Sequence, residues 1–363
     1  MTCQVSSTNK ADFKYETFTF CLSLLVLLIR VTFGQETVDK EELQSQFKMS
    51  DDNSMDSRFT APRAVAQPYI RSSLARAVYY KFKEDEQNQN DRHVYWYRAI
   101  LSRLSQDLCG KFVQFDQDDG ADEFLQNCQE KSDAILSQIF YSLARPILNV
   151  FMTQTSINGL LRRGSMYIFS KPQFEQLMNY TAYHKQGNLL DLGAGDGMVT
   201  AQMSSYFNQT YATEMSGVMA RKLSSMGYHV LDVDQWAESG LKFDVVSCLN
   251  LLDRCDKPMS LLAQIRKVLS PDTGRLLVAT VIPFKPYVEF NSKTHEPSEF
   301  LRVTGSNFEE QVDQLVSIFR QAGFVVEKFT RLPYLCEGDL RHSFYVLTDA
   351  LFVLKAAEET TAS

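Results

Sequence analysis

Cysteine and histidine are scarce in this sequence, and none of them is grouped as a metal site or a disulfide framework requires. The seven cysteines include no Cys-x-x-Cys pair, and the five histidines are equally scattered. Zinc cages and redox pairs depend on such spacing, so we expect no bound metal and cysteines buried as small hydrophobic side chains. Cys248 and Cys255 flank a motif described below, but the sequence places no general base beside either, so a cysteine nucleophile is not expected.

A surplus of positive charge is also lacking. The chain carries 37 Lys and Arg residues against 44 Asp and Glu residues, a formal net charge of -7. A protein that clamps nucleic acid must neutralise phosphates, so we expect no nucleic-acid partner. The 363 residues are 44% hydrophobic and 12% aromatic, which excludes wholesale disorder and predicts a globular protein that we expect to be a monomer.

No apolar run is long enough for a confident membrane span. The run Phe18–Ile29 has the length of a signal-peptide hydrophobic region, and small residues follow it over 31–34. We therefore predict a signal peptide over residues 1–34 and a location in the endoplasmic reticulum or another endomembrane compartment, with the mitochondrion as the alternative. For the run itself, the alternatives are an uncleaved anchor, which would associate the chain with a membrane, and a buried helix.

Composition then separates two regions ahead of the main domain. Residues 35–68 are polar and acidic and lack apolar periodicity, which predicts a disordered linker. Residues 69–154 show apolar side chains at helical spacing, including the stretches 99–108 and 135–151, with a break at the acidic run that ends at Gly120. This region is predicted to be a helical subdomain.

After residue 155, short apolar runs alternate with amphipathic stretches, which is typical of a parallel sheet covered by helices. The predicted strands are Asn188–Leu192, Tyr211–Thr213, Tyr228–Val233, Phe243–Leu249, Gly274–Val281, Phe324–Thr330 and Ala350–Lys355, with the last two antiparallel. Residues 155–357 are thus predicted to adopt the α/β, seven-stranded doubly wound (Rossmann-like) class I methyltransferase fold. Two Asn-x-Thr sequons, at Asn179 and Asn208, lie at the edges of predicted elements, and their glycosylation stays open.

A glycine-rich turn follows the first of these strands. The run Leu189–Gly197 reads LLDLGAGDG, in which Asp191 lies in the strand and Gly193, Gly195 and Gly197 form the turn. Glycine tolerates unusual backbone angles and close approach, so the backbone of such a turn contacts a cofactor directly. The spacing differs from the Gly-x-Gly-x-x-Gly of dinucleotide folds, which favours S-adenosylmethionine over NAD. Alternatively, the turn needs glycine for steric reasons alone.

Acidic residues follow the next two strands. Glu214 ends the second strand at the interval from Asp191 at which this topology presents a carboxylate to ribose hydroxyls. Asp232 and Asp234 follow the third strand, where the fold meets the adenine, and either carboxylate suits its amino group. Solvated loop acids are the alternative interpretation.

The fourth strand carries Asn250 and Asp253 to the carboxyl edge of the sheet, where ligands bind in open α/β folds. A short turn would direct both side chains into one crevice, and polar groups are costly to bury there unless something binds them. Alternatively, Asn250 caps the turn and Asp253 pairs with Arg254.

Four longer segments resemble a known family. They are TSINGLLRRGSMYIFS at 155–170, CLNLLDRCDKP at 248–258, PFKPYVE at 283–289 and TRLPYLCEGD at 330–339. They closely resemble the DREV-type methyltransferase-like proteins, and the resemblance covers about residues 70–355. Members of that family are protein-histidine methyltransferases that use S-adenosylmethionine to modify the pros nitrogen of histidine in His-x-His motifs.

The resemblance implies the same activity on His-x-His-containing substrate proteins, with Asp253 facing the substrate imidazole and Tyr334 reaching the site from the late TRLPYL loop. The predicted catalytic residues are Asp253, Asn250 and Tyr334. The predicted cofactor-binding residues are Asp191, Gly193, Gly195, Glu214, Asp232, Asn250 and Tyr334. The alternatives are methylation of another side chain or a small molecule, and a cofactor-binding scaffold without activity.

Overall fold

The computed structural model describes residues 73–88, 93–181, 185–288 and 295–358. The predicted signal peptide (1–34) and acidic linker (35–68) lie outside these residues. Within the described ranges, no helix combines the length and the apolar character that crossing a membrane requires.

A mixed sheet of eight strands runs through the described residues. Its strands are β1 (Met166–Tyr167), β2 (Gln186–Leu192), β3 (Phe207–Thr213), β4 (His229–Leu231), β5 (Val245–Leu249), β6 (Arg275–Ile282), β7 (Phe324–Glu337) and β8 (Phe344–Ala356). They lie in the order β1-β7-β8-β6-β5-β2-β3-β4, with β2 to β6 parallel and β8 antiparallel to both β6 and β7. This is the arrangement of the class I methyltransferase fold, so the predicted fold is confirmed. The short edge strand β1 was not predicted.

Of the α-helices in the described residues, five precede β1 and five lie between successive strands. They are α1 (Ser73–Asn88), α2 (Gln106–Cys109), α3 (Asp119–Asp133), α4 (Ile135–Leu148), α5 (Gln154–Leu161), α6 (Lys171–Met178), α7 (Met198–Ser204), α8 (Gly217–Ser225), α9 (Pro258–Val268) and α10 (Phe308–Gln321). Local sequence sets where they begin. For example, Ser170 and Gln173 form a reciprocal capping box at the start of α6, which satisfies backbone N–H groups that the first turn leaves unpaired.

Alternation of side chains along the strands divides the core into two layers. Leu190 and Leu192 of β2 pack in one cluster with Phe319 of α10, while Leu189 packs in the other with Phe174 of α6. Successive strand residues point to opposite faces, so a strand buried on both sides reads as an uninterrupted apolar run. For this reason, the apolar runs in the sequence predicted the central strands.

The N-terminal helices differ from the prediction in two places. Residues 99–108 were predicted to be helical, but they hold only a 3₁₀ turn at Leu101–Arg103 and the beginning of α2. The acidic run that ends at Gly120 was predicted as a break, but it starts α3. The reason is a cap, because the Asp118 side chain accepts a hydrogen bond from Ala121 N at 3.1 Å.

The segments before α5 pack against the β7 side of the sheet. Phe112 forms a β-bridge with Phe329 of β7, and Val113 N donates to Phe329 O at 2.8 Å. Arg331 of β7 donates from its guanidinium to Arg98 O at 2.8 Å. These contacts brace the edge of the sheet on which the late strands lie.

Strands β7 and β8 extend well beyond their predicted bounds, with β7 reaching Glu337 and β8 beginning at Phe344. Tyr334 therefore lies within β7, opposite Leu347 of β8, and the predicted loop position of Tyr334 is wrong. Pro333 signals the end of a strand, yet β7 continues through it. Pro333 is paired only with β8, because β1 pairs with β7 only at Leu335 and Cys336. Proline is tolerated where its backbone needs no second partner.

Candidate active site at the carboxyl edge of the sheet

The glycine-rich turn joins β2 to α7 at the carboxyl edge. Gly193, Gly195 and Gly197 have φ angles of 71°, 55° and 80°, in the left-handed region that side chains rarely adopt. The amides of Gly193 and Ala194 both donate to Thr213 O at 3.0 Å, which ties the turn to the end of β3. A side chain begun at Gly195 would meet no atom within 4 Å, so the backbone there is open to close approach.

Glu214 lies beside this turn at the end of β3. Its Oε2 accepts a hydrogen bond from Gly195 N at 3.0 Å, and its Oε1 accepts one from Ser216 N at 2.8 Å. A carboxylate oxygen has two lone pairs, so both oxygens keep the capacity to accept from hydroxyl groups. The structure thus brings Glu214 against the glycine turn, and its predicted contact with the ribose stays a prediction.

Asp191 is buried behind the turn, with 3% of its surface exposed. Its carboxylate accepts hydrogen bonds from Thr200 Oγ1 at 2.5 Å and from Ser247 Oγ at 2.7 Å. Burial raises the pKa of Asp191 to about 6, against the opposing effect of these two hydroxyl groups. The side chain links β2, β5 and α7 from the inside, and its predicted contact with the cofactor stays a prediction.

Asp232 and Asp234 follow β4, and both side chains are exposed. Asp234 N donates to Asp232 Oδ1 at 2.9 Å, and Trp236 N donates to the Asp232 backbone oxygen at 3.1 Å. These contacts shape the loop at the same edge of the sheet. The adenine contact predicted for Asp232 stays a prediction.

Asn250 occupies a sharp turn directly after β5. Its φ angle is 53°, and its backbone N donates to Ala279 O at 2.9 Å. The side-chain Nδ2 donates to Asp349 Oδ2 at 2.8 Å. The Oδ1 atom is buried and has no hydrogen-bond partner among the described residues.

Asp253 is almost completely buried, with 2% of its surface exposed. Its Oδ2 lies 2.9 Å from an Arg254 nitrogen, while its Oδ1 has no hydrogen-bond partner among the described residues. Burial raises the pKa of this carboxyl, and Arg254 opposes that effect. The Asp253–Arg254 pair that the sequence allowed as an alternative therefore exists, yet it leaves one carboxylate oxygen available.

Tyr334 reaches this region from β7. Its hydroxyl contacts Met166 Sδ of β1 at 2.5 Å. Burial raises the pKa of the phenol well above its usual range, and the nearby Asp349 and Asp253 add to the effect. Tyr334 is therefore a neutral side chain beside two carboxyl groups.

Asp349 is a site residue that the sequence reasoning missed. It lies in β8, between Val281 of β6 and Leu332 of β7, and it is fully buried. The pKa of Asp349 is raised to about 8, chiefly by burial and also by the charge of Asp253, against the opposing effect of the Asn250 hydrogen bond. The available signal was an aspartate inside an apolar strand, since such a group is rarely buried without a function or a partner.

Together these residues form an acceptor-rich chamber, which we define as Asn250, Asp253, Tyr334 and Asp349. Three of its oxygens are buried without a hydrogen-bond partner in the described part of the chain: Asn250 Oδ1, Asp253 Oδ1 and Asp349 Oδ1. Buried polar atoms in native proteins are nearly always paired, so these oxygens indicate a site for a ligand that brings N–H or O–H donors.

The cofactor that the sequence favoured, S-adenosylmethionine, fits this edge of the sheet. The open backbone at Gly195 suits close approach of a cofactor, and the lone pairs of Glu214 suit ribose hydroxyls. The unpaired Asn250 Oδ1 suits an amino group. Residues suited to hold a nucleoside thus lie beside buried hydrogen-bond acceptors, an arrangement that suits group transfer.

A cavity of about 610 Å³ lies outside this chamber, between α4, α5 and the turn after β7. Its lining includes Arg163, which pairs with the buried Glu337 and stacks over Tyr141 with 4.8 Å from its guanidinium carbon to the ring centroid. None of the predicted site residues lines it. The chemistry-bearing side chains are therefore arranged at the strand ends and not in this cavity.

Two cysteines, Cys255 and Cys336, lie near the carboxyl groups of this site. Burial raises the pKa values of Cys255 and Cys336 to about 12, so both thiols are protonated near neutral pH. The described residues contain no disulfide and no cluster of His, Cys, Asp and Glu side chains that would hold a metal ion.

The chain is similar to one known protein family and to several solved structures. The model of the DREV methyltransferase family matches residues 96–356. Among solved structures, the chain is similar to an S-adenosylmethionine-dependent methyltransferase from Clostridium acetobutylicum, with 14% identity and a TM-score of 0.34 over 52% of this chain and 89% of that one. It is also similar to a SAM-dependent methyltransferase from Leishmania major, with 13% identity and a TM-score of 0.35 over 51% of this chain and 71% of that one. For the complex of DhpI with SAH, the identity is 15% and the TM-score 0.33, over 51% of this chain and 83% of that one.

Proposed function

The chain belongs to the DREV methyltransferase family, and from this premise we propose that it methylates the pros nitrogen (N1) of histidine in His-x-His motifs of substrate proteins. It is an S-adenosylmethionine-dependent methyltransferase. The proposal concerns its substrate. The observation that supports it is the buried, unpaired Oδ1 of Asp253 in the acceptor-rich chamber.

The chemistry of histidine suits such a chamber. S-adenosylmethionine supplies an electrophilic methyl group when bound. A neutral imidazole is nucleophilic near pH 7, because its pKa is about 6.5, whereas lysine must first lose a proton. The main task of the chamber is therefore to determine which imidazole nitrogen is methylated, and removing a proton before methyl transfer matters less.

Asp253 is the residue that makes this choice. Its Oδ1 accepts the tele N–H of the substrate imidazole, which keeps the proton on that nitrogen and leaves the pros lone pair free. Arg254 holds the other oxygen at 2.9 Å and so fixes the direction of the carboxylate. As the imidazole gains positive charge during methylation, the same carboxylate stabilises it.

Other residues position the cofactor. We assign the backbone of Gly193 and Gly195 to close contact with the cofactor. Glu214 is assigned to the ribose hydroxyls, and Asn250 Oδ1 to an amino group of the cofactor. Asp232 is assigned to the adenine at the exposed end of the pocket, and Asp191 keeps the turn in place through α7. Tyr334 closes the chamber on the β7 side as a neutral wall.

The decisive experiment is methyl transfer to defined peptides. Purified full-length protein is incubated with methyl-labelled S-adenosylmethionine and a His-x-His peptide, and the hydrolysed product is resolved into pros and tele methylhistidine. We expect the pros isomer, and no label on a matched peptide in which both histidines are alanine. Label on another residue or a small molecule would assign the fold a different substrate, and cofactor binding without transfer to any acceptor would identify a scaffold.

We further propose a location in the endoplasmic reticulum or another endomembrane compartment, with the mitochondrion as the alternative. Exposed side chains at both sequons, Asn179 and Asn208, support access for a glycosyltransferase. A mobility shift on glycosidase treatment that is lost in the Asn179→Gln, Asn208→Gln double variant would support a lumenal location. Cofractionation with mitochondria and no such shift would favour the alternative.

Protein substrates with His-x-His motifs are the proposed partners, and nucleic acid is not among them. We propose that the chain acts as a monomer, with any membrane association coming from the apolar segment within residues 1–34. Sedimentation velocity of the purified protein measures the first point, and comparison with a variant lacking residues 1–34 measures the second.

A further inference from the structure

The side chains of Asn250 and Asp349 meet through one hydrogen bond and leave one unpaired oxygen each. Asn250 Nδ2 donates to Asp349 Oδ2 at 2.8 Å. The two remaining oxygens, Asn250 Oδ1 and Asp349 Oδ1, are both buried and both lack a partner among the described residues. A buried acceptor without a donor destabilises the fold, and one proton shared by the two side chains would satisfy both oxygens.

The charges around this pair indicate where such a proton belongs. Asp253 and Asp349 are both buried, and their charges act on one another. Arg254 pairs with Asp253, whereas no salt bridge joins Asp349 to a cation in the described part of the chain. Two buried carboxyl groups with one cation carry a single negative charge at neutral pH, so the carboxyl group without the cation keeps its proton.

The other titratable groups that face Asp349 do not change this balance. Tyr334 and Cys336 face it from β7, and Asp253, which pairs with Arg254, acts on it from the turn after β5. Burial keeps both the phenol and the thiol neutral near pH 7. Burial and the charge of Asp253 raise the pKa of Asp349 to about 8.

We propose that Asp349 is a positioning residue of the methyl-transfer site: its protonated Oδ1 donates to Asn250 Oδ1 and closes a cyclic acid–amide pair that fixes the Asn250 side chain. A carboxylic acid and a primary amide have the matching donors and acceptors for two such bonds. The pair satisfies both unpaired oxygens with one proton. The second lone pair of Asn250 Oδ1 stays available for an amino group of the cofactor, and Asp253 Oδ1 is then the acceptor that the chamber leaves free for a substrate.

This arrangement has a consequence for the reaction, which depends on the proposed function. With Asp349 neutral, the chamber presents one carboxylate to the substrate imidazole. A second carboxylate would raise the pKa of that imidazole and favour its protonated form, which has no lone pair for the methyl group. The acid–amide pair thus keeps Asn250 in place and limits the negative charge beside the nucleophile.

The first test measures the proton and needs no substrate. Full-length protein labelled with ¹³C at the aspartate carboxyl carbon is titrated by NMR over roughly pH 5 to 10, and Asp349→Asn assigns the resonance. We expect the Asp349 carbon to change with a midpoint near 8, as its raised pKa requires. A midpoint below about 5, the ordinary range for a carboxyl group, would overturn the proposal whatever the enzyme methylates.

The second test separates positioning from bulk and from folding. Asp349→Asn preserves a cyclic pair, because two primary amides also form two hydrogen bonds, while Asp349→Ala removes it. We expect kcat on the His-x-His peptide to fall on the order of 10- to 100-fold in the alanine variant and to be largely restored in the asparagine variant. The parent should lose rate above about pH 8, and the asparagine variant should not.

Asp116→Asn provides the matched control, because that carboxylate is 68% exposed and distant from the chamber. It should keep the rate and the pH profile of the parent. Equal loss of kcat in both Asp349 variants, with thermal melting showing both to be folded, would refute the cyclic pair. If the alanine variant does not fold, the decision rests on Asp349→Asn, whose retained alkaline loss of rate would refute it as well. Failure of the peptide as a substrate would concern the proposed function alone, since the NMR titration is independent of it.

Discussion

Replacing Asp253 with asparagine keeps the size of the side chain and reverses the polarity that it presents to the substrate. In the parent, Oδ2 faces Arg254 at 2.9 Å, and Oδ1 is the unpaired acceptor. An asparagine must turn its oxygen toward the Arg254 guanidinium, because an NH₂ group there would meet a donor. The NH₂ group then points into the chamber, where it faces the tele nitrogen as a donor and favours the tautomer whose proton sits on the pros nitrogen.

The magnitude follows from the burial of this group. Asp253 is 2% exposed, so solvent does not replace the lost interaction. A hydrogen bond to a charged group contributes about 1.5 to 3 kcal/mol, and about 1.4 kcal/mol corresponds to a tenfold change in rate. We therefore expect kcat on a His-x-His peptide to fall by about 10- to 150-fold in Asp253→Asn. The affinity for S-adenosylhomocysteine should change less than about threefold, because Asp253 is not among the residues that we assign to the cofactor.

The assay measures labelled methyl transfer at saturating cofactor, with calorimetry for S-adenosylhomocysteine and chromatographic separation of the two methylhistidines. Glu296→Gln is the matched control, since it removes an exposed carboxylate without touching the chamber. Thermal melting confirms that each variant is folded. A folded Asp253→Asn protein with the parent's rate and the parent's preference for the pros nitrogen would refute the role assigned to this carboxylate.

Three further predictions concern the cofactor loop. Glu214→Gln should weaken S-adenosylhomocysteine binding by about tenfold or more with kcat at saturating cofactor little changed, as measured by calorimetry and initial rates, and an unchanged affinity would contradict the ribose assignment. Gly197→Ala should lower the free energy of unfolding by about 2 to 4 kcal/mol in urea titration, because φ is 80° and its Cβ would lie 2.9 Å from atoms of Leu223 and Met226; a loss below about 1 kcal/mol would refute this. The pKa of Asp191 is about 6 when folded, above its unfolded value, so its contribution to stability is present at low pH and is lost as the pH rises from about 4 to about 6, by about 1.4 kcal/mol for each pH unit. Asp191→Asn should remove that part of the slope in urea unfolding at a series of pH values, and an unchanged slope would show that Asp191 titrates normally.

The glycine turn and Glu214 were predictable because each follows directly from one strand. Parallel strands end at the same edge of the sheet, so the residues after β2, β3 and β5 are brought together by any fold that pairs those strands. Asn250 and Asp253 benefit from the same rule. Here local sequence and sheet topology agree, and a motif read along the chain already names neighbours in space.

The N-terminal helices show where this reasoning stops. Apolar spacing over 99–108 suggested one continuous helix, yet Leu104 is buried in an extended segment and Leu108 in the single turn of α2, because extended and 3₁₀ segments also cover the sheet. The start of α3 depended on one capping contact at Asp118, which competed with an equally reasonable turn in the sequence. Helix and turn preferences that differ this little are decided by the part of the protein against which the segment packs.

The sequence by itself determined where the central strands lie along the chain, the glycine turn and the carboxylates at the strand ends, since each depends on residues close together in the chain. Only the tertiary structure decided that Asp349 lies against Asn250, 99 residues away, and that Tyr334 sits in a strand at the same place. The reason is the insertion of β8 between β6 and β7 in the reverse direction, which brings the start of β8 to the carboxyl edge. No local pattern encodes that meeting, and burial in the finished fold is what gives the Asp349 carboxyl its unusual pKa.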